Sequence, residues 1–283
     1  MTARDRIGFM QGRLSELVDK KIQAFPWTQW QQEFPLAREL GFGLMEWTLD
    51  QERLYENPLL TAAGQQEIRR LCSNNRVRVH SLTGDCFMQA PFFKAQGAER
   101  ATLLEDLSNI LQACAAVGIR QVVFPLVDNG SIENEAQREA LRTGLLPLAG
   151  LLQARQMQIV FESDFPPARL AQFIAPFPAD VFGINYDIGN SAALGHDPAE
   201  ELAACGARVL NVHVKDRVRG GTTVPLGEGN ADFATVFRLL ARSRYAGMFI
   251  LQTARAADGD HAGALERYRD MVVNWMTTAE DGQ

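Results

Sequence analysis

Residues 121–127 read QVVFPLV and residues 158–164 read QIVFESD, two apolar runs rich in β-branched and aromatic residues. Continuous runs of this kind are typical of parallel strands covered on both faces, because neither face then needs polar side chains. Parallel strands must be joined by long crossover connections, which are usually helices. These two stretches therefore indicate an α/β fold built from βα units.

Six further strands are predicted outward from these two runs, with amphipathic helical patterns between them. The eight predicted strands are Ile7–Gln11, Leu44–Leu49, Val77–Leu82, Gln121–Val127, Gln158–Ser163, Phe182–Ile188, Val209–Val214 and Met248–Gln252. Their starts are roughly 25 to 45 residues apart, the size of one βα unit, and eight such units close a barrel. We expect a single (β/α)8 TIM barrel spanning residues 1–283, with a frayed tail over about residues 279–283.

The main structural alternative is a doubly wound open sheet, which would carry a glycine-rich phosphate loop after its first strand. Here the first strand runs into MQGRL (residues 10–14), which has one glycine. Two helix boundaries also fit the barrel interpretation. Gly118 predicts the end of one helix, and Asp232, just before FATVFRLL, predicts the N-cap of another.

Composition limits the classes of partner. The chain has 283 residues, 46% of them hydrophobic, and a formal net charge of −6. An acidic balance argues against a nucleic-acid partner. No run approaches the ~18 apolar residues of a membrane helix, and the N-terminus lacks the apolar core of a signal peptide. The four cysteines, which form no CxxC pair, indicate neither disulfides nor a cysteine metal site. We expect a cytoplasmic protein that acts on a small molecule, without nucleic-acid or membrane partners.

Polar residues cluster where the predicted strands end, and in a barrel of this type the active site lies at those ends. They are Glu46, Asp85, Glu162, Asp187, Asn190, His213, Lys215, Gln252 and Arg255. Carboxylates buried together need a cation to neutralise them. Glu162, Asp187 and His213 are therefore predicted to hold one divalent metal ion, and this ligand set suits Mn²⁺, Mg²⁺, Co²⁺ or Zn²⁺.

Each of these three residues also has a structural alternative. Glu162 could pair with an arginine, Asp187 could build a turn with the following Gly-Asn, and His213 could be a core histidine. The metal hypothesis rests on all three occurring at the ends of successive strands.

Four segments carry a resemblance to a known family: FES (161–163), NYDIGNSAALGHDP (185–198), NVHVKD (211–216) and LGEGNADF (226–233). In order and spacing they resemble the xylose-isomerase-like superfamily, in its sugar phosphate isomerase and epimerase branch. The resemblance extends over nearly the whole chain. It implies a divalent-metal-dependent isomerase or epimerase of a sugar or sugar phosphate, working through an enediolate. Members of the superfamily are often dimers or tetramers, and whether this chain forms a homo-oligomer stays open.

The ketose epimerases of this superfamily imply specific roles here. The metal ligands would be Glu162, Asp187, His213 and Gln252, and the paired catalytic bases would be Glu162 and Gln252. The resemblance also makes Arg219 a substrate contact. The chain departs from the family pattern at Gln252, where those epimerases have a glutamate. A glutamine can coordinate a metal but cannot accept a proton, and losing a general base typically costs ~10²–10⁴-fold in rate.

Three consequences of Gln252 stay open. Glu162 could act alone in an aldose–ketose isomerisation, Glu46 or Asp85 could replace the missing base, or the protein could bind a sugar without turnover. A keto-polyol dehydratase of the same superfamily is a further alternative. The apurinic endonuclease branch is disfavoured, since it needs a histidine-rich site and the chain has four histidines. The full set of predicted substrate contacts is Glu46, Asp85, Asn190, Lys215, Arg219 and Arg255.

Overall fold

Eight parallel strands close into a barrel in the computed structural model, which describes residues 2–281. The barrel strands are β1 (Ile7–Met10), β2 (Leu44–Thr48), β3 (Arg78–Thr83), β4 (Gln121–Leu126), β5 (Gln158–Ser163), β6 (Phe182–Asp187), β7 (Val209–Val214) and β10 (Met248–Leu251). They pair in sequence order, and β10 closes the barrel against β1. The (β/α)8 prediction is confirmed, and no predicted strand end differs from the observed end by more than one residue.

Helices flank the barrel after each strand. They are α1 (Glu33–Glu39), α2 (Ala62–Asn75), α3 (Asp85–Gln89), α4 (Gly97–Val117), α5 (Glu135–Leu145), α6 (Ala149–Arg155), α7 (Pro167–Ile174), α8 (Ile188–Leu194), α9 (Pro198–Cys205), α10 (Phe233–Arg242) and α11 (His261–Asp281). Both predicted boundaries are confirmed. Gly118 ends α4 at φ +91°, a left-handed conformation that favours glycine. The Asp232 carboxylate accepts the backbone N–H of Thr235 at 3.0 Å and caps α10.

A layer of phenylalanines packs between the barrel and α7. The ring of Phe161 on β5 lies 5.1 Å from the ring of Phe173 and 5.2 Å from that of Phe177, centre to centre. It also lies 6.1 Å from the ring of Phe182 on β6. Since neighbouring side chains of a strand point to opposite faces, burying Phe161 against the helices turns the next residue, Glu162, into the barrel.

An antiparallel ribbon follows β7 and is formed by two short strands, β8 (Asp216–Arg217) and β9 (Thr223–Val224). At the C-terminus, residues 279–281 of the expected frayed tail continue α11, and residues 282–283 lie outside the described residues. Within residues 2–281, no helix combines the length and the hydrophobicity that are needed to cross a membrane.

Candidate active site

Three strands bring an acid, a second acid and an imidazole together at the barrel mouth, the end where the strands terminate. Glu162 lies on β5, Asp187 ends β6, and His213 lies on β7 directly beside Asp187 in the strand register. One ligand atom from each of the three residues lies within 4.8 Å of the others. The His213 Nδ1 atom is 3.2 Å from Glu162 Oε2 and 3.9 Å from Asp187 Oδ2. All three side chains are buried.

The imidazole of His213 is oriented by a carboxylate behind it. Its Nε2 lies 2.8 Å from Glu46 Oε1. Among residues 2–281, Nδ1 makes no hydrogen bond although it is buried. Burial by itself lowers the pKa of His213, but its interactions with Glu46 and Glu162 outweigh burial and raise the pKa to about 10. A carboxylate behind a histidine is the arrangement that fixes ring orientation in metal sites.

Glu46 is fully enclosed by its partners. Ser81 donates to its Oε2 at 2.6 Å, Asn211 donates to the same oxygen at 3.2 Å, and the hydroxyl of Thr83 donates to Oε1. Burial acts to raise the pKa of Glu46, but the bond and charge of His213 and the two hydroxyl donors lower it below its usual range. The sequence predicts that Glu46 contacts substrate hydroxyls. The side chain has no exposed surface, however, so substrate hydroxyls cannot reach it. It instead positions His213.

Two asparagines hold the carboxylate of Glu162. Asn190 donates to Oε1 at 2.6 Å and Asn185 donates to Oε2 at 2.9 Å. Burial acts to raise the pKa of Glu162, but His213, Lys215 and Asn185 lower it, so that the carboxylate is charged. The predicted contact residue Asn190 therefore lies within the cluster, where it orients Glu162.

A lysine bridges the cluster to position 252. The Nζ atom of Lys215 lies 2.7 Å from Asp187 Oδ2, as an ion pair, and donates a hydrogen bond to Gln252 Oε1 at 2.9 Å. Gln252 follows β10 and is buried. Its amide oxygen is thus linked to Asp187 through the ammonium group of Lys215.

Gln23 is a site residue that the sequence analysis missed. It lies in the loop between β1 and α1, donates to Asp85 Oδ2 at 2.6 Å and accepts from Gln252 Nε2 at 2.8 Å. Asp85 begins α3 directly after β3, so the bridge joins loops from three strands. No motif surrounds Gln23 in the sequence, and a loop glutamine carries no signal of its own.

Arg217, which the sequence analysis also missed, contacts Asn190, one of the two asparagines that hold Glu162. Its Nη1 donates to Asn190 Oδ1 at 2.8 Å. Arg219 is exposed, with its guanidinium beside Gly195. The predicted contact Arg255 is half-buried and donates to the backbone oxygen of Ser15 at 2.9 Å, not to the cluster.

The loop LGEGNADF is organised around the aspartate of NVHVKD. Asp216 accepts three backbone N–H groups, from Gly227, Gly229 and Ala231, at 2.9 to 3.1 Å. A Cβ on Gly229 would lie 2.1 Å from Asp216 Oδ1, so only glycine fits this approach. The segment is therefore fixed against the strand β8 by the Asp216 carboxylate.

The donor set fits a divalent cation. Two carboxylates and one imidazole converge, and the imidazole presents an Nδ1 without a hydrogen bond toward both carboxylates. Oxygen ligands with one nitrogen suit Mn²⁺, Mg²⁺, Co²⁺ and Zn²⁺ alike. The residues that would hold the ion are Glu162, Asp187 and His213.

Comparison with known proteins gives concordant results. A family profile described as "Xylose isomerase-like TIM barrel" matches residues 34–272. The chain is 28% identical to L-ribulose-5-phosphate 3-epimerase of Escherichia coli O1:K1 over 262 residues, 88% of this chain and 91% of that protein.

Two solved structures share the fold. An L-ribulose 3-epimerase gives a TM-score of 0.75 at 17% identity, covering 100% of this chain and 97% of the other. A xylose isomerase domain protein from Planctomyces limnophilus gives a TM-score of 0.74 at 17% identity, covering 98% and 99%.

Proposed function

This chain belongs to the xylose isomerase-like TIM barrel family, and we propose that it is an isomerase or epimerase of a ketose or ketose phosphate. The reaction moves a proton on the carbon next to the substrate carbonyl, through an enediolate. The observation that carries the proposal is the convergence of Glu162, Asp187 and His213 at the barrel mouth.

Glu162 is the proton-transfer base in this proposal. Its carboxylate is charged, buried and held by Asn185 and Asn190, so that its position does not depend on solvent. A base that is held in place before the substrate arrives needs little reorganisation in the transition state. A divalent cation bound by the cluster would polarise the carbonyl as a Lewis acid and stabilise negative charge on its oxygen.

The name of the E. coli relative, L-ribulose-5-phosphate 3-epimerase, supports a ketose phosphate as the substrate class. An anionic substituent needs a cation near the cluster. Among residues 2–281, Arg217 has no carboxylate within 4.0 Å and donates only to Asn190 and to the backbone oxygen of Gly221. We assign it as the anion contact, with Lys215, which is paired with Asp187, as a second cation at the mouth.

The test is proton exchange with solvent. The purified protein is incubated in D₂O with Mn²⁺ and a panel of ketopentoses, ketohexoses and their phosphates, and deuterium next to the carbonyl is followed by NMR. We expect exchange in the wild type and its loss in Glu162→Gln, while Glu139→Gln, on the exposed face of α5, retains it. Absence of exchange from every ketose with the wild type would overturn the proposal.

A further inference from the structure

Inverting a carbon centre requires a proton-transfer group on each face of the substrate, because one proton leaves from one face and another is added to the opposite face. The inference that follows rests on the proposed function, in which Glu162 serves one face. The residue at the other side of the cluster, Gln252, is an amide and cannot supply a proton at neutral pH.

Besides Glu162, three acids near the mouth are candidates for the second group, Glu46, Asp187 and Asp85, and the structure separates them. Glu46 is fully buried, and its oxygens are taken by His213, Ser81, Thr83 and Asn211. No oxygen of Glu46 is left to face a substrate. Asp187 is excluded because both of its oxygens are engaged: Oδ1 accepts the backbone N–H of Asn190 at 2.8 Å, and Oδ2 lies 2.7 Å from Lys215 Nζ.

Asp85 has the features that Glu46 lacks. It follows β3 at the mouth, and its Oδ2 accepts one hydrogen bond, from Gln23. Its other oxygen, Oδ1, accepts no hydrogen bond from residues 2–281. This oxygen is also not fully buried, so it is open to a bound substrate. A single carboxamide, that of Gln23, separates Asp85 from Gln252.

We propose that Asp85 is the second proton-transfer group, the donor that completes inversion in a chain where position 252 is glutamine. The Glu162 carboxylate takes the proton from one face of the carbon, and the C–H electron pair passes into the enediolate. The protonated Asp85 carboxyl then gives its proton to the opposite face as the carbonyl re-forms. Glu162 is left protonated and Asp85 ionised, and exchange of one proton through solvent restores both.

The surroundings of Asp85 support this role. The pKa of Asp85 is raised to about 7, mainly by burial. The hydrogen bond from Gln23 and the charge of Lys215 act to lower this pKa, and the charges of Asp50 and Glu162 act to raise it. The Arg13 guanidinium also interacts with this carboxyl. A carboxyl with a pKa near neutrality is protonated in part of the molecules and can both donate and accept.

The experiment separates inversion from exchange on whichever ketose exchanges deuterium with the wild type. Asp85→Asn is expected to keep exchange, because Glu162 can return a proton to the face from which it came. Formation of the epimer should fall by ~10²–10⁴-fold. Asp180→Asn is the matched control, since it makes the same change at an exposed carboxyl that precedes β6, at the opposite end of the barrel. We expect it to form epimer at the wild-type rate. Circular dichroism and bound Mn²⁺ establish that both variants are folded.

Three outcomes would overturn the inference. Epimer formation by Asp85→Asn at the wild-type rate would show that another group supplies the proton. An equal loss in Asp180→Asn would show that the fall does not come from the Asp85 carboxyl. A wild type that exchanges deuterium but yields only an aldose would show that a single base suffices. By contrast, a wild type without exchange refutes the proposed function itself and this inference with it.

Discussion

Replacing Gln252 by glutamate tests what the amide does to the cation site. Gln252 Oε1 lies 2.9 Å from Lys215 Nζ, which is itself 2.7 Å from Asp187 Oδ2, so the new charge would enter the cluster directly. Two unit charges 4 Å apart interact by about 4 kcal/mol at an effective dielectric constant of 20, and a divalent ion doubles this figure.

Three opposing effects reduce that gain. The new carboxylate loses hydration, is repelled by Glu162 and Asp187, and is partly neutralised by Lys215. We expect a net gain of about 1.4 to 2.8 kcal/mol, which is roughly 10- to 100-fold tighter binding of the ion.

Isothermal titration of Mn²⁺ into wild type and Gln252→Glu, at one pH and ionic strength, measures this difference. Gln112→Glu on the exposed face of α4 adds the same charge far from the mouth and should leave affinity unchanged. If Gln252→Glu binds Mn²⁺ no more tightly than Gln112→Glu does, position 252 is not part of the cation site and the reasoning is wrong.

Three further predictions concern stability and substrate binding. Burial raises the pKa of Glu33 from 4.5 to about 7. Ionisation of this carboxyl should therefore lower the free energy of unfolding by roughly 3 kcal/mol as pH rises from 4.5 to 7. Glu33→Gln should flatten this slope in denaturant titrations at several pH values; an unchanged slope contradicts the assignment. Phe161→Ala should lower the free energy of unfolding by about 3 to 5 kcal/mol, because its ring is buried between the barrel and the helices. Leu17→Ala, at an exposed position, should lower it by less than about 0.5 kcal/mol. A loss below about 1 kcal/mol in Phe161→Ala refutes the packing argument. Arg217→Ala should raise the KM of a phosphorylated ketose about tenfold or more but not that of the free sugar, whereas Arg219→Ala should change neither. The reverse result for the two arginines would restore the expectation from the sequence.

The barrel could be predicted because its strands are short apolar runs with sharp ends. QIVFES and the strand Val209–Val214 were predicted to the residue, since hydrophobic burial on both faces leaves little ambiguity. The convergence of Glu162, Asp187 and His213 followed from the same reasoning, because a closed parallel barrel brings strand ends together.

The roles of individual side chains depended on geometry that the sequence does not contain. Glu46 lies on β2, where a register shift after Met45 sets it opposite Ser81 and encloses it. Arg217 and Arg219 differ only in their places on the β8–β9 ribbon, whose turn decides which guanidinium faces Asn190. Gln23 contacts Asp85 and Gln252 across large sequence separations, and no local pattern predicts such contacts.

The claim that Glu162, Asp187 and His213 form a divalent cation site is tested most directly by crystallography with Mn²⁺. Crystals grown with the ion should give an anomalous difference peak within about 2.0 to 2.3 Å of His213 Nδ1 and of one carboxylate oxygen from each of Glu162 and Asp187. A map without a peak among these three side chains, at a concentration of Mn²⁺ that supports proton exchange, would contradict the account.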